Sequence, residues 1–155
     1  MRILIWLTTH LIAGAIGFAL GIYLLPILTA PEGPDAAILE QQSASATYTG
    51  TLTRDLAGSD FLHWGEGTLS LTETQLIHMG ELAPGPDYRA YLTPSFVEDE
   101  AGFEAIKDAS LNLGKVDTFN GFILDLPAGT DVENYSAIVI WCERFGEFIT
   151  AAQYR

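Results

Sequence analysis

Two patterns of hydrophobic and polar residues divide the chain. From Ile3 to Leu28 there is no Asp, Glu, Lys or Arg, and the only strongly polar side chain is His10. About 20 apolar residues at 1.5 Å each cross the hydrocarbon of a bilayer, so this stretch predicts one transmembrane helix within residues 1–28. From Thr47 onward the pattern changes to short runs rich in Thr, Tyr, Val, Ile and Leu, punctuated by Gly and Pro, which is how strands and turns alternate. The runs are Tyr48–Leu56, Gly67–Thr72, Thr74–Met79, Tyr88–Leu92, Ala109–Leu113, Gly121–Leu126, Ala137–Cys142 and Phe148–Gln153. About eight strands at this spacing predict an all-β domain over 47–155, an antiparallel sandwich or barrel. Only Glu98–Lys107 reads as helical.

One run stands apart. Ala137–Cys142 is apolar on both faces, with Ile138, Ile140 and Cys142 on one side and Val139 and Trp141 on the other. Such a strand lies centrally and is covered on both sides. Glu143 and Arg144 follow at once, so Cys142 stands where the strand meets a loop. Residues 29–46 are rich in Pro, Ala, Ser and Gln without an apolar period and read as a linker, with a short helical turn at Ala36–Gln42.

A cleaved signal peptide has a shorter apolar region and a small-x-small exit. Here the exit reads Leu28-Thr29-Ala30-Pro31, so the segment is expected to stay attached as a signal-anchor. Arg2 precedes the span while Glu32, Asp35 and Glu40 follow it, which predicts a cytoplasmic N-terminus and a domain in the periplasm or at the cell exterior. Ala13, Gly17 and Gly21 recur every four residues, a stripe on which two such helices can pack as a homodimer; the simpler reading is that glycine is common in membrane helices. His10 reads as snorkelling or locally hydrogen-bonded.

Charge then narrows the function classes. All twenty Asp and Glu follow residue 31, together with six of the seven Lys and Arg, six against twenty, hence −14 beyond the span. That field repels phosphate backbones and excludes nucleic acid as a partner. Glu98-Asp99-Glu100, Glu104 and Asp108 lack the spaced carboxylates and glycine of a calcium loop and read as a solvated charge run. There is no nucleophile elbow, phosphate loop or Ser/His/Asp signature.

Three blocks resemble one family. Asp60-Phe-Leu-His63 with Gly65-x-Gly67 and Leu69-Ser-Leu71, Ala83-Pro-Gly-Pro-Asp87 leading to Tyr91-Leu92-Thr93, and Leu113-Gly114 through Gly121-Phe122, Leu126-Pro127 and Tyr135 to Cys142-Glu-Arg-Phe145 are similar to a DM13 domain over about residues 47–153. The resemblance implies an extracytoplasmic all-β module and a proposed electron-transfer role centred on the cysteine, as a bare thiol or as a ligand to a prosthetic group. It also implies a redox protein as partner and gives His63 the family's Asp-x-x-His position. Which cofactor, if any, is unknown at this stage.

Cys142 is the only cysteine, so no disulfide forms within the chain. Two readings stand side by side: an inert core cysteine alternating with isoleucines, or a reactive thiol. Arg144 shares its face if the strand stays extended, and its charge would then lower the thiol pKa, whereas Glu143 opposes it. The candidate catalytic set is therefore Cys142, Arg144 and His63, with His63 otherwise a loop-fixing histidine beside Trp64. His63, His78, Met79 and Cys142 are too scattered for structural zinc, no His or Met follows Cys142 as in a blue-copper loop, and Cys-x-x-Cys-His is absent; no metal site is expected, while noncovalent haem held through one of these four residues stays open. The competing function is a membrane-tethered binding or scaffolding domain with a structural cysteine.

Overall fold

The computed structural model describes residues 1–155. Helix α1 (Arg2–Thr29) takes up the charge-free segment; none of its residues is buried, and by length and composition it is able to cross a membrane. Eight strands follow: β1 (Tyr48–Leu52), β2 (Gly65–Leu71), β3 (Gln75–Leu82), β4 (Tyr88–Thr93), β5 (Leu111–Val116), β6 (Phe122–Asp125), β7 (Ala137–Cys142) and β8 (Glu147–Gln153). Two short helices join them, α2 (Ala36–Ser43) and α3 (Glu100–Ile106). The eight predicted runs each correspond to a strand, and α3 falls in the one stretch read as helical.

The strands form two four-stranded antiparallel sheets, ordered β1-β2-β3-β6 and β5-β4-β7-β8. The domain is thus a sandwich, the first of the two architectures expected. Its main core contains 17 buried residues from both sheets, among them Leu69, Leu76, Leu92, Ile138, Ile140, Cys142 and Ile149. The second sheet also buries its other face. Tyr91, Phe103, Val139, Trp141, Phe148 and Ala151 make a smaller core there, with Phe103 contributed by α3. All six residues of β7 are buried, and the five from Ile138 to Cys142 split between the two cores as its alternation predicts.

Two segments are more ordered than their composition suggests. Within the stretch read as a linker, α2 lies along β3, Leu39 is 4% exposed, and the Ser43 hydroxyl reaches Met79 Sδ at 3.5 Å. Part of the acidic run is structural: Asp99 caps α3 by accepting the Gly102 N–H at 2.7 Å.

Candidate functional site

Cys142 ends β7 opposite Tyr88 of β4. The chain then turns through Glu143–Gly146. Gly146, at φ 68°, takes the left-handed conformation that closes the hairpin, and its N–H donates to the Cys142 carbonyl at 2.9 Å. The Glu143 N–H donates to the Asp87 carbonyl at 2.9 Å, tying the turn to the start of β4.

The residue is 2% exposed, and burial pushes its thiol pKa up. Backbone N–H groups of Phe145, Arg144 and Asp87 pull the other way, the Asp87 carboxylate adds to the rise, and burial prevails. This corrects the expectation of a depressed pKa, and the reason is the turn. Arg144 is exposed at the turn rather than extended along the strand, so its backbone N–H, not its guanidinium, acts on the sulfur. Glu143 does not act as the expected opposing charge either. It is held by Lys107 Nζ at 2.7 Å and by the Tyr91 hydroxyl; burial works against its ionisation, but these partners keep its carboxyl below the usual range.

His63 lies in the loop before β2. The Asp60 carboxylate accepts the N–H groups of Leu62 and His63, both at 2.7 Å, and faces His63 Nδ1 at 3.1 Å. Burial opposes ionisation of Asp60, yet these hydrogen bonds hold its carboxyl below the ordinary value. A carboxylate at Nδ1 fixes the ring and leaves Nε2 as its outward nitrogen. The next residue anchors the loop: the Arg54 guanidinium stacks on Trp64 at 3.3 Å, and the Trp64 carbonyl accepts the Ala83 N–H at 2.9 Å.

These elements converge on one pocket of about 440 Å³. Cys142, His63 and Tyr88 line it with Leu62, Phe145 and the Pro84-Gly85-Pro86 turn, and Ile22 and Tyr23 of α1 close one side. Arg144 lies outside it, in the adjoining crevice between Phe145 and α1. The fold therefore brings together two of the three candidate residues, 79 positions apart in sequence, and sets the third beside them.

Tyr88 is the site residue that sequence reasoning missed. It is 1% exposed, and its hydroxyl pKa is raised by burial and then by Cys142. As an aromatic in a strand it carried no local signal, and only its register opposite Cys142 reveals it. Gly85 is needed under it, since a Cβ there would overlap the Tyr88 ring.

No three His, Cys, Asp or Glu side chains gather anywhere in the chain to hold a metal ion. His78 is fully buried in the first sheet, its Nε2–H donating to the Glu66 carbonyl at 3.0 Å, and Met79 faces α2. Neither lines the pocket, so the donors of a two-His, one-Cys, one-Met centre are not assembled.

The family model described as Electron transfer DM13 matches residues 55–154, about two thirds of the chain. This chain belongs to the DM13 family. No curated protein and no solved structure matches it. The matched region of the DM13 domain includes His63, Tyr88, Cys142 and Arg144 and stops short of α1 and α2.

Proposed function

We propose that this DM13 protein is a membrane-anchored electron-transfer module whose redox centre is Cys142. In this reading α1 spans the membrane once, the N-terminus is cytoplasmic and the domain stands in the periplasm or at the cell exterior, where thiols meet disulfides. The observation that carries the reading is that Cys142 and His63, distant in sequence, line one apolar pocket. The step is thiol–disulfide exchange with a disulfide-bearing redox protein. Cys142 Sγ bonds to one sulfur of the partner, the partner's S–S bond breaks, and its second sulfur leaves as a thiol carrying the proton that Cys142 gave up. His63 Nε2 is the group that takes this proton in transit, with Asp60 holding the ring.

A raised thiol pKa slows such exchange at neutral pH, because the thiolate is the attacking form. The three backbone N–H groups aimed at Sγ steady the thiolate once it forms. Exchange is therefore expected to rise with pH past the free-thiol range of about 8.5. The test uses the full chain in detergent with oxidised glutathione, read by mass. The expected result is a mixed disulfide on Cys142, absent in Cys142→Ser, and slowed at neutral pH in His63→Ala.

The 2% exposure of Cys142 favours a second reading, a tethered binding or scaffolding domain with a structural cysteine. If Cys142 accepts neither glutathione nor an alkylating agent until the protein unfolds, that reading replaces the first.

A further inference from the structure

We propose that the pocket end of the sandwich rests on the outer surface of the bilayer, with Phe61, Leu62 and Phe145 in the interfacial layer and Arg144 on a lipid phosphate. This rests on the reading of α1 as a membrane anchor. Beyond α1 the chain exposes only four large apolar side chains, and three of them stand at this end: Phe61 at 84%, Leu62 at 38% and Phe145 at 52%. The two loops that carry them flank the pocket mouth, and they do so against α1 itself.

The length of α1 sets the depth. Its 28 residues extend about 42 Å at 1.5 Å each, while the hydrocarbon layer is about 30 Å thick. Counted from Ile3, the hydrocarbon ends near Ile22 and Tyr23, and Tyr is a residue that settles at that boundary. Ala19, Leu20, Ile22 and Tyr23 are the α1 residues that line the pocket beside Leu62 and Phe145, the last turn of the span up to that boundary. The loop tips thus reach the level of the membrane interface, where exposed Phe and Leu are buried and Arg meets phosphate.

Charge complementarity agrees. Arg54, Arg89, Lys107, Lys115 and Arg155 each lie within 4.0 Å of a carboxylate; Arg144 is the one cation of the β domain in no such pair. Glu147 also lines the pocket, so the surface that fits is zwitterionic rather than strongly anionic.

The test uses the full chain in phosphatidylcholine vesicles, in a Cys142→Ser background, with a fluorophore on single cysteines at Phe61→Cys, Phe145→Cys, Ile12→Cys and Glu73→Cys. Ile12 reports the anchor and Glu73 the far end of the β2–β3 hairpin. Nitroxide lipids with shallow spin labels are expected to quench positions 61 and 145, deep ones position 12, and neither position 73. Adding Arg144→Glu should weaken quenching at position 61. In the unmodified chain, a diazirine-bearing phosphatidylcholine should cross-link to peptides covering residues 58–64 and 143–147 as well as to α1. If position 12 is quenched while 61 and 145 behave as 73 does, and cross-links stay within α1, the anchor stands and the docking falls. If position 12 is not quenched, the anchor reading falls and the docking with it.

Discussion

Replacing Trp141 by Ala tests whether the second, outward core is a true structural core. Trp141 is 2% exposed, packs on Phe103 with ring centroids 4.9 Å apart, and lies under Lys107 Nζ at 5.2 Å. Deleting a buried aromatic costs about 3–5 kcal/mol in lost transfer energy and cavity formation. Its indole N–H has no hydrogen-bond partner, and relieving that buried donor returns about 1–3 kcal/mol. The net loss is then about 2 kcal/mol, which for a chain of this size lowers Tm by roughly 4–8 °C. Trp141→Phe removes the unpartnered N–H but keeps a ring on Phe103, so it should cost only about 1 kcal/mol or less. The assay is thermal unfolding of the full chain in detergent, followed by near-ultraviolet circular dichroism. An alanine variant melting with the parent, or a phenylalanine variant as damaged as the alanine one, refutes this account.

Three further outcomes follow from the packing and titration of the domain. Burial lowers the His78 pKa from 6.5 despite its hydrogen bond to Glu66, so this ring folds neutral; its contribution is present above about pH 6.5 and is lost as pH falls through the depressed folded value. A pH series of melts should therefore decline below pH 6.5, and His78→Leu should flatten the part of that decline lying above the carboxylate range. Leu39→Ala should lower stability by about 2 kcal/mol, the small end for a buried leucine because α2 is short; an unchanged melt would show that α2 is not part of the folded unit. Gly85→Ala should cost about 1–3 kcal/mol by pushing on the Tyr88 ring and should alter the alkylation rate of Cys142, whereas an unaffected rate would separate Tyr88 from the pocket.

Much of the architecture is legible because it is written locally. Alternation over Ala137–Cys142 assigns each side chain to one of two cores before any partner strand is known. The chemistry around Cys142 is less legible, because it depends on pairing between distant segments. Nothing near Tyr88 or His63 in sequence announces that both line the pocket that the thiol lines; β4–β7 register and the Asp60 loop bring them there. A local signal stands against the expectation for Arg144. Gly146, four residues beyond Cys142, marks a tight hairpin, and a hairpin ends the every-second-residue rule on which the guanidinium argument stood. Leu39 was hidden by its polar neighbours, since one buried leucine makes no period.

The packing of α2 changes how far the domain can search. An unattached stretch of about 18 residues, the length of 29–46, lets its ends wander roughly 21–25 Å apart on average. With α2 fastened to β3, at most the roughly six residues between Thr29 and Ala36 can act as slack, and the excursion shrinks to roughly 12–15 Å or less. Sampled volume falls with the cube of that length, so the domain concentrates itself about fivefold near its own helix. Under the anchoring proposed for α1, a partner in the same membrane would meet it at that higher effective concentration only on diffusing close to α1, which would favour lateral neighbours over soluble ones.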